Sequence, residues 1–415
     1  MLNKDGQREL AYVAKITKIT PINGADNIEL VTINGGWVCI AKIGEFKEND
    51  LCVYFEIDSK LPAADWSEFM ESKHYKVKTM KLGKFGVYSQ GLALPADAFG
   101  AVLYQDYIHF GKESYIGKDQ DYRNGDFLTK ELNVRYSVEE DNKRKASSNP
   151  DAKINAALAR HPKIAKKYGK LIKKNKVLRA LFIAIFGKKK DNETGFPTHF
   201  PYIHKTDQER CENMTWVLED KTPYIVTQKC DGSSGTYILE RKPFGKFEFY
   251  VCSRNVRQLT PNQQSFYDEN YYWECAIKYD IENKMKDFLQ KNPKLDYVCW
   301  QGEVCSPAIQ KNPHGLTETH LFCFHMIDSE KGKYDLREAV KIWKEYKMET
   351  VPIINENYIL PNDFEEFKAT ADGVYESSVC EGKTNQRREG FVYYKTTDPN
   401  FSFKNVSRDY LLKHS

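Results

Sequence analysis

Short runs of β-forming residues, each bounded by turn residues, constrain the fold of this chain more than any other feature of its sequence. Between residues 10 and 138 the runs are apolar or alternating, and Asn-Gly, Gly-Gly and Asn-Asp pairs separate them. They cover Tyr12–Ile19, Ile28–Ile33, Trp37–Ile43 and Leu51–Ile57, and the same sheet could continue through Tyr75–Met80 and Val87–Leu92. Closely spaced short strands are typical of a small barrel, and the OB-fold is one candidate. We therefore predict an OB-like β-barrel module over residues 1–138.

The segment 139–195 differs from its surroundings in charge and in periodicity. From Glu139 to Lys190 the sequence holds 16 Lys and Arg against 4 Asp and Glu, a balance of +12, whereas the whole chain carries +4. Apolar spacing over Ala152–Phe186 predicts helix, which Pro162 must interrupt. A block this basic fits a polyanionic partner, and it fits a solvated surface equally well. We interpret residues 139–195 as a basic helical insertion or linker.

Strand and helix patterns alternate from residue 196 to residue 415. The predicted strands are Tyr224–Gln228, Gly235–Leu239, Phe247–Ser253, Tyr297–Val304, Leu321–Ile327 and Gly390–Lys395. The predicted helices are Tyr271–Lys291, Leu336–Tyr346 and Asp363–Thr370. This order predicts an α+β fold in which an antiparallel sheet carries the domain.

Composition argues against several classes of protein. A hydrophobic share of 41% and a charged share of 29% are those of a soluble globular chain. The most apolar run, Val177–Phe186, is too short to span a bilayer, and we expect it to pack on a protein core. Ten cysteines without a CxxC pair indicate reduced, buried thiols and make disulfides or a zinc site poor interpretations. We expect a cytoplasmic monomer without stable membrane association, since no secretory signal is visible.

A lysine at the end of a predicted strand gives the strongest local sign of chemistry. The sequence reads Val226-Thr-Gln-Lys229-Cys-Asp231-Gly232-Ser-Ser-Gly235, a strand, a lysine, an aspartate and a small-residue turn. An amine can attack phosphorus once it is deprotonated, and burial and nearby positive charge favour that form. The glycines let backbone N–H groups approach phosphate oxygens. A KxDG motif alone is short, and an ordinary exposed lysine at a turn would look the same.

Further short motifs follow this lysine in a fixed order. They are Ser253-Arg254-Asn255, Trp300-Gln-Gly-Glu303-Val, the aromatic strand Leu321-Phe-Cys-Phe324, Glu389-Gly-Phe-Val392 and Phe401-Ser-Phe-Lys404. With Lys229-Cys-Asp231-Gly232 they resemble the landmarks of the covalent nucleotidyltransferase superfamily, which includes ligases and mRNA capping enzymes. The resemblance covers about half of the chain, from Phe196 to Lys404.

Other stretches are similar to RNA ligases in particular. They are Gly302–Asn312 and Phe403–Leu412, and, near the N-terminus, Ile19–Leu30 and Gly44–Asp58. The last two resemble the OB-like module of the Deinococcus and Naegleria type of RNA ligase, in which the module precedes the catalytic domain. Only 11 residues follow Lys404, too few for the C-terminal OB domain of DNA ligases and capping enzymes. The sequence departs from the type in its basic segment and in Ser402, where many ligases have a lysine.

The resemblance implies an ATP-dependent RNA ligase that uses Mg²⁺ or Mn²⁺. Lys229 would take AMP from ATP, the AMP would pass to a 5′-phosphate, and a 3′-OH would then displace it. The implied catalytic residues are Lys229, Asp231, Glu389 and Lys404, and the implied nucleotide-binding residues are Lys229, Gly232, Arg254, Glu303, Phe324 and Lys404. Asp231 and Glu389 would hold the metal. The implied partner is RNA with 3′-OH and 5′-phosphate ends, with a nicked duplex as the preferred form.

Two other hypotheses stay open on the sequence alone. One is a DNA ligase or a GTP-using capping enzyme, which a comparison of ATP with GTP as nucleotide donor would distinguish. The other is a nucleic-acid-binding protein without activity. The joint presence of Lys229, Glu303, Glu389 and Lys404 favours an enzyme, because binding alone needs no nucleophile.

Overall fold

The structure, a computed structural model, describes residues 1–137, 164, 168–169, 171–172, 174–186, 206–254, 257–258, 270–380 and 385–414. Twelve strands lie in the N-terminal part: β1 (Ala11–Pro21), β2 (Ile28–Ile33), β3 (Trp37–Lys42), β4 (Leu51–Phe55), β5 (Ser59–Lys60), β6 (Thr79–Leu82), β7 (Val87–Gln90), β8 (Leu92–Leu94), β9 (Val102–Leu103), β10 (Ile108–Phe110), β11 (Gln120–Tyr122) and β12 (Arg135–Tyr136).

Five of these strands form the nearly closed barrel that the sequence predicts. They pair antiparallel in the order β3-β2-β1-β4-β8. Strand β3 also contacts β7, where the Ile40 N–H donates to Ser89 Oγ at 3.1 Å. Alternating burial along β2 and β3 places one face of each strand in the barrel core, around the fully buried Trp37. The OB-like prediction is confirmed.

The described residues after the basic segment form eleven strands and five helices, and the segment itself contains helix α1 (Lys176–Phe186). The strands are β13 (Glu209–Arg210), β14 (Tyr224–Lys229), β15 (Ser233–Lys242), β16 (Lys246–Ser253), β17 (Arg257–Gln258), β18 (Tyr297–Cys305), β19 (His320–Asp328), β20 (Gly332–Lys333), β21 (Ile353–Tyr358), β22 (Gly390–Lys395) and β23 (Ser402–Val406). The helices are α2 (Tyr271–Lys278), α3 (Ile281–Lys291), α4 (Leu336–Glu345), α5 (Phe364–Ala369) and α6 (Arg408–His414).

Two sheets build this second part, and β14 runs through the middle of one of them. One sheet has the order β13-β23-β22-β14-β21 and the other the order β17-β16-β15-β18-β19-β20. Every pair in them is antiparallel except β13 with β23. Tyr224 to Gln228 are all buried, and β14 is covered on both faces, with Ile225 in one hydrophobic cluster and Tyr224 and Val226 in another. The predicted α+β fold is confirmed.

Two predicted elements are wrong in detail. The helix predicted over Tyr271–Lys291 is two helices, because Asp280 takes a left-handed φ of 50° between them. Of the strand predicted over Tyr75–Met80, only the last two residues belong to β6. Left-handed φ values of 54° at His74 and 59° at Tyr75 turn the chain just before it.

Most of the predicted basic insertion lies outside the described residues, including Pro162 and the boundary at Phe196. Within α1 the expectation of core packing holds only in part. The ring of Phe182 is buried, whereas Val177 is 76% exposed and Leu181 is 56% exposed. Of the helices that the structure describes, none has the length and apolar character needed to cross a bilayer.

Helix α6 joins the two parts of the molecule. Val406, Tyr410 and Leu411 share one hydrophobic core with the barrel residues around Trp37. Asn213 adds a polar junction: its Oδ1 accepts from Trp37 Nε1 at 2.7 Å, and its Nδ2 donates to Glu56 Oε1 at 2.8 Å. The barrel is therefore packed directly against α6 and against β23, the strand that carries Lys404.

Candidate active site

A cleft of about 1400 Å³ lies between the barrel and the two sheets. Arg8, Asp58 and Tyr136 line it from the N-terminal part. The predicted site residues that line it are Lys229, Asp231, Gly232, Arg254, Glu303, Phe324, Glu389 and Lys404. The fold thus brings all of them to one cavity, although the sequence spreads them over more than 170 positions.

Lys229 reaches the cleft as the last residue of β14. Its backbone pairs with Gly390, the first residue of β22, so Glu389 lies beside it at the strand end. Lys229 Nζ is 2.8 Å from Glu389 Oε1. Gly390 has φ 144°, and a side chain there would meet the Asn405 carbonyl at 2.1 Å, so only glycine fits after the glutamate.

Asp231 and Gly232 connect the two sheets directly after the lysine. A Cβ on Gly232 would lie 2.4 Å from the Val304 carbonyl, so β18 approaches the turn closely. The pairing of β15 with β18 places Glu303 opposite Ser234. The Gly232 N–H donates to Glu303 Oε1 at 3.1 Å, so in this structure a protein carboxylate, and not an open space for phosphate, faces that donor.

Three carboxylates surround one ammonium group in this site. Burial opposes the charged form of Lys229, but Glu389, Glu303 and Asp231 outweigh it and raise the pKa of the lysine. Burial, with repulsion from Glu389, raises the pKa of Asp231 to about 7 and that of Glu303 to about 8. The immediate surroundings of the lysine are therefore carboxylates, which the strand register brings there, and they favour its charged form.

Positive charge lines a neighbouring part of the cleft, at Lys404. The backbone of Lys404 on β23 pairs with Val392 of β22 on one side and with Arg210 of β13 on the other side. Burial, together with Arg210, Lys229 and Arg8, lowers the pKa of Lys404 well below its usual value. Arg210 is 6% exposed, and its Nε and Nη1 have no hydrogen-bond partner among the described residues. This group of cations favours the arrival of an anion, which would stabilise the charged form of Lys404.

Phe324 faces the cleft through an irregularity of the sheet. Between β18 and β19 the register shifts, with Gly302 opposite Cys323 and Gln301 opposite His325, so Phe324 is the extra residue of a β-bulge. A bulge redirects a side chain, and this ring lines the cavity and is 9% exposed. Arg254 follows the end of β16 and forms an ion pair with Asp207 at the cleft wall.

Two residues that the sequence analysis gave no role hold Asp231 in place. Tyr410, on α6, donates its hydroxyl hydrogen bond to Asp231 Oδ2. His314 Nε2 accepts from the Asp231 N–H at 3.1 Å, and burial lowers the pKa of this imidazole to about 4, which keeps it neutral. No local motif marks either contact, since Tyr410 is 179 positions from Asp231. Of the missed cations, Arg8 is also far from Lys229 in the sequence, and Arg210 is placed in the cleft by the pairing of β13 with β23, opposite Lys404.

The carboxylates fit a hydrated divalent cation better than a directly ligated one. Among the residues that the structure describes, no three His, Cys, Asp or Glu side chains are arranged to hold an ion between them. Glu389 Oε2 is nevertheless buried without a hydrogen-bond partner in this part of the chain. Mg²⁺ commonly keeps several waters and binds through one or two carboxylates. Asp231 and Glu389 suit such an ion.

Comparison with known proteins agrees with this architecture. The RNA ligase family matches residues 222–408, and an OB-fold domain family matches residues 10–96. No curated protein sequence matches the chain. Among solved structures, Naegleria gruberi RNA ligase with PPi is 26% identical, with a TM-score of 0.67 over 98% of this chain and 99% of that chain.

Mutants of the same Naegleria gruberi RNA ligase have been solved with nucleotides. One with ATP and Mn and another with AMP and Mn each show 26% identity and a TM-score of 0.67, over 98% of this chain and 99% of theirs. The similarity spans both the barrel and the two-sheet domain that carries the lysine motif. From its fold, its motifs and these matches, residues 222–408 belong to the RNA ligase family, and the chain as a whole is similar to Naegleria gruberi RNA ligase.

Proposed function

We propose that this chain is an ATP-dependent RNA ligase that joins 3′-OH and 5′-phosphate ends through a covalent lysyl-AMP at Lys229. The observation that carries the proposal is the position of Lys229 Nζ. It lies in the cleft, 2.8 Å from Glu389, with Asp231 and Glu303 close enough to raise its pKa. A lysine at a strand end, inside a cavity large enough for a nucleotide, is placed to act as a nucleophile.

The first step makes a bond from Lys229 Nζ to the α-phosphorus of ATP and breaks the bond to pyrophosphate. The amine must lose a proton to attack, and the three carboxylates hold that proton in the structure described here. A hydrated Mg²⁺ or Mn²⁺ beside Asp231 and Glu389 would supply positive charge that lowers the pKa of the lysine. Glu389 and Asp231 would orient its waters.

The cations of the cleft suit the phosphate chain. Lys404, Arg210 and Arg8 can neutralise phosphate oxygens, and the guanidinium groups can do so with two parallel hydrogen bonds. Arg210 carries N–H groups without partners among the described residues, so a phosphate would satisfy donors that are otherwise costly to bury. Arg210, opposite Lys404 in the pairing of β13 with β23, also supplies a second cation in a chain that has Ser402 in place of a lysine.

The remaining residues suit the nucleoside. Phe324 offers a ring face for the adenine, and Arg254 and Glu303 offer polar groups for the ribose. In the second and third steps AMP passes from Lys229 to a 5′-phosphate, and the 3′-OH of the adjoining strand attacks that phosphate and releases AMP. We propose a nicked RNA duplex as substrate, since the two ends are then held side by side.

A sealing assay tests the proposal. The full chain, with ATP and Mg²⁺ or Mn²⁺, is expected to join a nick in an RNA duplex and to join an all-DNA nick far less. Lys229→Ala should abolish sealing. Lys395→Ala is the matched control, because Lys395 lies on the adjacent strand β22 and pairs with Asp220 outside the cleft. Equal sealing of RNA and DNA would contradict the RNA assignment, and sealing by Lys229→Ala would contradict the mechanism.

A further inference from the structure

The hairpin of β6 and β7 and the residues that flank it carry several lysines and no acidic side chain. From Ser72 to Ala96 the sequence holds five lysines and no aspartate or glutamate. Lys73, Lys78, Lys81 and Lys84 are all exposed. This cluster of four lysines, the hairpin lysines, lies outside the basic segment 139–195 and inside the OB-like module. Lys73 belongs to it from the end of the 3-10 helix before the hairpin, and its Nζ lies 3.4 Å from Met80 Sδ on β6.

Some residues of the hairpin are buried against the protein, whereas its lysines are exposed. Val77 and Thr79 are buried before and at the start of β6, and Ser89 and Gln90 are buried at the end of β7. A turn with Gly86 at φ 70° closes it. Lys81 contacts the Tyr88 ring with its ammonium 4.8 Å from the centroid, and Lys84 contacts Phe85 at 5.1 Å. Aromatic contacts leave the positive charge of an ammonium intact.

The hairpin lies next to the helix that reaches the catalytic carboxylate. Tyr88 OH donates to Asp409 Oδ1 at 2.7 Å, and Arg408 Nε donates to Gln90 Oε1 at 3.2 Å. Asp409 directly precedes Tyr410, whose hydroxyl bonds to Asp231 in the cleft. Consecutive residues of α6, Arg408 to Tyr410, therefore connect the hairpin to the cleft.

We propose that the hairpin lysines bind the phosphodiester backbone of the RNA whose end occupies the cleft. A nucleic acid carries one charge per nucleotide, and exposed lysines on a firmly anchored hairpin suit such a repeating anion. The contacts are to phosphates, so the surface fixes the position of the RNA and reads no sequence. The inference rests on the proposed function and names the surface that its substrate uses.

The test removes the four charges without touching the cleft. The hairpin variant carries Lys73→Gln, Lys78→Gln, Lys81→Gln and Lys84→Gln. The matched control carries Lys294→Gln, Lys341→Gln, Lys344→Gln and Lys347→Gln, four exposed lysines that do not line the cleft. Both variants lose the same net charge. Binding of a fluorescent nicked RNA duplex is measured for each full chain over a series of salt concentrations.

The hairpin variant is expected to bind RNA at least about tenfold more weakly at low salt. The slope of log affinity against log salt should become shallower by about 3 to 4, since each of the four lost phosphate contacts removes about 0.7 to 0.9 of a unit. The control should match the parent. A version with four Lys→Arg changes in the hairpin should restore binding. Equal loss in hairpin and control variants, an unchanged slope in the hairpin variant, or failure of the Lys→Arg version to restore binding would each overturn the inference.

Lysyl-AMP formation by the same proteins separates the two claims. The parent and the hairpin variant should form the adduct at equal rates, because ATP binds in the cleft. If the parent forms no adduct, the proposed function fails, while the RNA-binding measurement still decides the role of the hairpin. If the hairpin variant forms the adduct normally and binds RNA as the parent does, only the inference about the hairpin fails.

Discussion

Removing the hydroxyl of Tyr410 tests whether Asp231 depends on the helix that joins the two parts of the molecule. In Tyr410→Phe the ring stays in the barrel core with Val406 and Leu411, and only the hydrogen bond to Asp231 is lost. Tyr410 is 6% exposed and Asp231 is 9% exposed, so water can replace the lost hydroxyl only partly. A hydrogen bond to a charged group contributes about 1.5–3 kcal/mol. Since about 1.4 kcal/mol is tenfold in rate, we expect lysyl-AMP formation to slow by about 10- to 100-fold.

The assay is single-turnover formation of the adduct, at varied ATP and varied Mn²⁺. The rate at saturation should fall and the half-saturating Mn²⁺ concentration should rise, whereas the half-saturating ATP concentration should stay the same. A general loss of folding would change all three. Tyr88→Phe is the control, because it removes a hydroxyl bond to Asp409 on the same helix without reaching the cleft. A rate within about twofold of the parent for Tyr410→Phe, or an equal loss in Tyr88→Phe, would refute the reasoning.

Three further outcomes follow from the same site and its supports. Glu389→Gln removes the charge next to Lys229 and should slow adduct formation at least about 100-fold, as measured in the single-turnover assay, and near-parental rates would count against a charge-based role. Because the carboxyl groups of Asp231 and Glu303 have pKa values of about 7 and 8, they lose protons as the pH rises through this range. The half-saturating Mn²⁺ concentration should therefore fall, and a flat profile would contradict these values. Lys368→Met leaves Glu212 buried without its partner at 2.7 Å and should lower the free energy of unfolding by about 3–5 kcal/mol in urea titrations, with Lys344→Met near zero.

The sequence predicts those elements whose burial is regular. Strand β2 and strand β22 begin and end where the patterns place them, at Ile28–Ile33 and Gly390–Lys395. The residues of each strand define its limits. Buried and half-buried residues alternate along β2, whereas the first five residues of β22 are all buried. The lysine of the motif was likewise predictable at a strand end, because the predicted strand Tyr224–Gln228 ends directly before it.

The predictions are wrong or incomplete where the structure depends on an unusual backbone conformation or on contacts between residues far apart in the sequence. Nothing in the apolar spacing shows that Asp280 takes a left-handed conformation and divides a helix. The bulge that turns Phe324 into the cleft depends on the register between two strands, which a single strand does not encode. Tyr410, His314 and Arg210 act through contacts far along the chain, so no local pattern could identify them.

The charges around Lys229 could not be predicted from the local sequence either. The KxDG motif indicates a nucleophile but not the charge around it, because Glu303 and Glu389 arrive from strands β18 and β22. Their joint effect raises the pKa of the lysine, so the proposed nucleophile would depend on an added cation to lose its proton. That dependence is a property of the assembled sheets.

The location of the AMP adduct tests the central claim most directly. The full chain is incubated with α-labelled ATP and Mn²⁺, denatured and digested, and the modified peptide is sequenced by mass spectrometry. We predict one AMP, bound to Lys229, with no adduct in the Lys229→Ala protein and a normal adduct in the Lys395→Ala protein. An AMP on any other residue, a label that persists in Lys229→Ala, or no adduct in the parent would contradict the account.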